Sequence, residues 1–132
     1  MRQLHPQGWA QPKGFANGIA ASGRQIFVAG QVGWNAQQQF ESDDFVAQLE
    51  QALRNTLAVL AEADAGAEHI ARLTWYVTSK QEYLARRAEV GRAYRRVMGR
   101  HFPAMTLVQV VALVEDRAKV EIEATAVVPD RG

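Results

Sequence analysis

The sequence predicts an α+β domain: one mixed sheet with two helices on one face, in the order β-β-α-β-α-β-β. Three observations predict it. Apolar residues recur at helical spacing in two long segments, one near 45–60 and one near 79–98. Shorter segments between and around them are rich in β-branched and aromatic residues. Several of these strands are separated only by turn residues, as in hairpins, so the chain does not read as a run of βαβ units.

The first 17 residues are rich in Pro, Gly and Gln and read as irregular. GIAASG and RQIFVAGQV follow, and Ser22-Gly23 between them predicts a hairpin. GWNAQQQFESD is polar and turn-like. Ser42 is an N-cap candidate for the first helix, with Asp43 and Asp44 placing negative charge at its start. Phe45, Leu49, Leu53, Leu57 and Leu60 form its apolar stripe, and Gly66 is a candidate stop. HIARLTWYVTS reads as a strand. Ser79-Lys80-Gln81-Glu82 is a capping-box pattern opening the second helix. Tyr83, Leu84, Val90, Tyr94, Val97 and Met98 fall on one side of that helix, which Gly99 and Pro103 end.

Residues 100–128, RHFPAMTLVQVVALVEDRAKVEIEATAVV, read as two strands joined by a charged turn. In the last, Val120, Ile122, Ala124 and Ala126 alternate with Glu121, Glu123 and Thr125. In the strand before it, Val108, Val110 and Ala112 alternate with Leu107, Gln109, Val111 and Leu113. Both faces of that strand are largely apolar, which predicts burial on both sides and hence an oligomer.

With 132 residues, the chain fits a single domain, 1–132, with enough apolar content for a core. A net charge of +1 argues against nucleic acid or an anionic membrane as partner. The absence of cysteine removes disulfides, thiolate metal sites and thiol nucleophiles. The opening MRQLHPQGWAQPKG has no apolar h-region, and no apolar run approaches the ~20 residues that span a bilayer. A cytoplasmic protein is the expectation.

Motifs of phosphate binding and of a nucleophile elbow are missing: KGFANGIAASG matches neither a P-loop nor a dinucleotide fingerprint. His5, His69 and His101 lack metal-ligand spacing, so no metal and no cofactor is expected. Arg92, Arg96 and Arg100, with Arg95 beside them, read as the solvated face of an amphipathic helix rather than a nucleic-acid ridge. Trp75 reads as core or interface, whereas Trp34, at a bend after a strand, is a candidate cleft wall. Glu121 and Glu123 share one strand face. A covered carboxylate there has a raised pKa and can hold or activate water.

FPAMTLVQVVALVEDRAKVEIEATAV closely resembles the C-terminal signature of the RidA/YjgF family, written around F-P-A-R and V-E-I-E-A. FVAGQVGWNA resembles that family's G-Q strand end, and ALRNTLAVLAEADAGAEHIARLTWYVTS resembles its first helix and third strand. The likeness spans residues 13–128. It implies a chorismate-mutase-like subunit, a homotrimer with a central barrel, and small-molecule clefts between subunits. It also implies hydrolysis of reactive enamines and imines such as 2-aminoacrylate. In active members the F-P-A-R arginine grips the substrate carboxylate, and a glutamate of V-E-I-E positions water.

Carried over position by position, the resemblance keeps Glu121 as the catalytic residue and Gly30-Gln31 as the G-Q pair. Met105 stands at the arginine, Phe15 at a tyrosine, Ala29 at a serine, Gly91 at an asparagine and Leu107 at a residue that is often cysteine. A methionine offers no charge where arginine offers five donors. Losing such a buried contact costs roughly 2–5 kcal/mol. The expectation is therefore a cleft suited to a larger or less polar ligand, in a deaminase-type hydrolase that is not a standard 2-aminoacrylate deaminase. The alternative is a non-catalytic trimer that binds a metabolite or a partner protein.

Overall fold

The computed structural model describes residues 1–130. Its main sheet has four strands in the order β3-β6-β4-β5. These are β3 (Arg24–Val32), β4 (Ile70–Val77), β5 (Ala104–Gln109) and β6 (Val120–Val128). β6 pairs antiparallel with both β3 and β4, while β4 and β5 run parallel. α1 (Phe45–Ala61), α2 (Lys80–Ala85) and α3 (Arg87–Met98) complete the α+β fold. A short ribbon joins β1 (Arg2–Leu4) to β2 (Gly18–Ala20).

Strand alternation decides what each face of the sheet carries. Ile122, Ala124 and Ala126 of β6 and Leu73, Trp75 and Val77 of β4 are buried in the core with α1 and α3. On α1, Phe45, Leu49, Leu53 and Leu60 are buried as their spacing predicts, and Leu57 is half-buried. On β5, Met105 pairs with Leu73 and Leu107 with Trp75, and both pack on the same core. The opposite face carries Arg72, Thr74, Tyr76, Thr106, Glu123 and Thr125, with Phe27 72% exposed beside them.

Several local expectations change. Ser22-Gly23 does not close a hairpin, because β2 pairs with β1, a three-residue strand inside the segment read as irregular. β5 and β6 are not neighbours either: β4 lies between them. The helical crossover from β4 returns β5 parallel on one edge of β4, which leaves the other edge for β6. Asp44, not Ser42, caps α1, its carboxylate accepting from Ala47 N at 3.0 Å, while Ser42 Oγ accepts from Asp44 N. α1 ends before Gly66, which instead precedes a 3₁₀ turn at Ala67–His69. Ser79 caps the next helix as predicted, but that helix breaks at Arg86 into α2 and α3.

β5 also stops at Gln109, so the apolar residues after it lie on a loop. Val111 and Val114 are fully exposed there. The uncovered sheet face is largely polar, with Tyr76 Oη donating to Glu123 at 2.7 Å. Among the exposed large apolar residues, Phe27 and Val108 lie on the sheet and Val111 and Val114 on the loop after β5, so they do not form a continuous sheet surface.

Candidate functional site

A cavity of about 580 Å³ opens beside β5, between α2–α3 and the segment leading to β2. Met105 and Leu107 reach it from β5, Phe15 from that leading segment and Gly91 from α3. Its floor is aromatic. Tyr94 stacks on Phe102 with ring centres 5.5 Å apart and meets Trp75 at 6.2 Å. Tyr94 Oη donates to His101 O at 2.5 Å, and burial pushes the phenol's pKa well above its ordinary value. Trp75 Nε1 is buried without a hydrogen-bond partner among the described residues. Such an unpaired donor costs about 1–3 kcal/mol.

Glu121 does not belong to this cavity. It pairs with Tyr76, next to the Trp75 row that carries Leu107, so it projects from the opposite face of the sheet. Gly30 lies beside it, at a bulge between Val28 and Gln31. A Cβ on Gly30 would stand 1.9 Å from Glu121 Oε2, so only glycine leaves that carboxylate its place. Ala29 is exposed on the same bulge, and Gln31 Nε2 donates to Ala29 O at 3.1 Å. Trp34 packs on Phe40 at 5.7 Å and is not among the residues lining the cavity.

The sequence-derived residues thus form two groups on opposite sheet faces. Phe15, Gly91, Met105 and Leu107 share a cavity, while Gly30 and Glu121 share a bulged edge. The sequence reading gave no site role to Arg87 and Arg95, which line the cavity together with Lys13, beside Phe15. The one signal for them was Gly91, a glycine inside a helix one turn before Arg95.

Comparison with known proteins agrees with this architecture. The family model described as Endoribonuclease L-PSP matches residues 10–128. A RutC family protein of Pasteurella multocida is 31% identical over 105 residues, covering 80% of this chain and 81% of the relative. The Rid family protein YyfB of Yersinia pestis superposes with a TM-score of 0.85 at 32% identity, covering 96% of this chain and 98% of that one. TdcF of E. coli, solved with bound serine, gives a TM-score of 0.68 at 25% identity and the same coverage of each chain. The chain belongs to the RidA/YjgF family and has its fold.

Proposed function

We propose that this protein assembles as a homotrimer and acts on a small imine or enamine in a cleft between subunits. The observation that carries this is the division of the site. Glu121 and the Met105 cavity lie on opposite faces of one sheet, so one chain cannot bring them to one substrate. A neighbour presenting its Glu121–Gly30 edge to the cavity can. The serine bound in TdcF supports a small-molecule site in this fold.

In this reading Glu121 accepts a proton from water as the water oxygen bonds to the C=N carbon, and that proton passes to nitrogen. The carbinolamine then collapses to a carbonyl and releases ammonia. Met105 and Phe15 favour a bulkier or less polar substrate than 2-aminoacrylate. RNA cleavage fits less well, since no histidine or carboxylate of this chain lines the cavity among the described residues.

The test generates imines in situ with an amino acid oxidase and follows their trapping by semicarbazide. The imine from phenylalanine should be consumed faster with protein present, and Glu121→Gln should abolish the effect. The 2-aminoacrylate lifetime should not change. A trimer that accelerates no imine would leave the non-catalytic binding role, and a stable, folded monomer would remove the shared cleft altogether.

A further inference from the structure

The arginines of α2–α3 divide by what they face. Arg86 reaches Asp44 and Glu89, each at 2.6 Å, and Arg96 reaches Glu50 at 2.7 Å. Those charges are neutralised across the α1 side of the helix. Arg87 and Arg95 line the cavity together with Lys13, and no ion pair joins these residues to a carboxylate among the described residues.

Positions 87, 91 and 95 form one row down the cavity flank of α3. Arg95 sits one turn after Gly91, and its Nη1 lies 3.5 Å from where a Cβ on Gly91 would be. This is the direction expected of a helical side chain, which leans back over the preceding turn. Glycine at 91 leaves open space beside the guanidinium, at a helix-interior position where glycine costs about 1 kcal/mol relative to alanine. The same cavity is lined by Phe15, Phe102, Trp75 and Met105, with Phe102 and Trp75 in its aromatic floor. An arginine fork over an apolar floor matches a carboxylate carried on a flat apolar body.

We infer that the anion-binding group of this cavity is Arg95 on α3, with Arg87 and Lys13 beside it, and that the ligand is an aryl- or alkyl-substituted carboxylate. The charge that Met105 lacks on β5 is supplied from the helix wall, so the carboxylate is held above the floor instead of at its strand edge. This deepens the reading of the cavity as a ligand site but does not depend on turnover.

The probes are 3-phenylpropionate and its neutral isostere 3-phenylpropanamide, titrated calorimetrically into the full-length protein. The carboxylate should bind at least about ten-fold more tightly than the amide, a difference of about 1.4 kcal/mol. Arg95→Gln should erase that preference by weakening only the carboxylate. Arg92→Gln, an exposed position on the same helix outside the cavity, should leave it intact. Equal binding of acid and amide, an unchanged preference in Arg95→Gln, or no binding of either probe would each overturn the inference. Arg95-dependent binding without imine hydrolysis would sink the catalytic reading alone. Glu121-dependent hydrolysis without an acid preference would sink this inference alone.

Discussion

At position 30 a single methyl group decides where a carboxylate can sit. The 1.9 Å that would separate a Cβ on residue 30 from Glu121 Oε2 is far inside van der Waals contact. The obstruction is the mobile end of a side chain, so Gly30→Ala should fold, with a stability change within about 1 kcal/mol. It should nevertheless displace the carboxylate and, in the proposed reaction, lower imine hydrolysis at least about ten-fold, as misplacing a catalytic group does. Steady-state rates beside a urea unfolding curve check this. An unchanged rate would mean that Glu121 works from a different position or not at all. Gly33 makes a contrasting case: a Cβ there would stand 2.4 Å from Gln48 O and 2.6 Å from Gln48 Cα, where backbone cannot yield cheaply.

At the scale of elements, Gln48 fastens α1 to the loop between β5 and β6. It is 1% exposed, donates to Ser42 O and Arg117 O at 3.0 Å, and accepts from Lys119 N at 2.8 Å. Gln48→Leu keeps the volume but strands those backbone groups. It should cost about 2–3 kcal/mol, measurable by urea unfolding, with faster amide exchange at 117–119. A loss under about 0.5 kcal/mol would show that water replaces the side chain. The ion pairs within and between α1 and the α2–α3 segment add a pH dependence. Arg86 and the Ala47 N–H hold Asp44 below its ordinary 3.8, Arg96 and then Arg54 hold Glu50 below 4.5, and Arg86 holds Glu89 below 4.5. These carboxylates bind fewer protons folded than unfolded, so their contribution is present above about pH 4.5 and is lost as pH falls through and below it. Urea midpoints should be flat from about pH 7 to 5 and fall below about 4.5, less steeply in Glu50→Gln. The same elements show what the sequence makes legible. The α1 stripe is local and periodic, so spacing reveals it. The order β3-β6-β4-β5 depends on pairings between distant segments, and nothing in residues 100–128 says that another strand separates the two. The break at Arg86 falls among helix-forming residues, where its arginine reaches across to the α1 cap. Of the cavity positions, Phe15, Gly91, Met105 and Leu107 were legible through family resemblance, whereas Trp75, Tyr94 and Phe102 were not, since a core aromatic and a cavity-lining one share the same pattern. Arg87 and Arg95 were not, because a helical wheel tells which side is charged but not which flank borders a cavity.

For the whole molecule, the decisive feature is that Glu121 and the Met105 cavity occupy opposite sheet faces. In the assembly proposed above, unlike surfaces of neighbouring chains meet, and such head-to-tail contacts close into a ring. Every site then takes its cavity from one chain and its carboxylate from the next, which makes the defect of one variant repairable by another. Gly91→Phe, which fills the cavity, and Glu121→Gln, which removes the carboxylate, should each be inactive alone. Co-expressed in equal amounts, they should recover about a quarter of wild-type activity, since three-quarters of random trimers are mixed and each mixed ring regains one site in three. Both substitutions placed on one chain, expressed alone, should recover nothing. This is intersubunit complementation, a genetic readout of strand parity: whether residue 121 points up or down from its sheet becomes visible as activity in a mixture of two dead proteins.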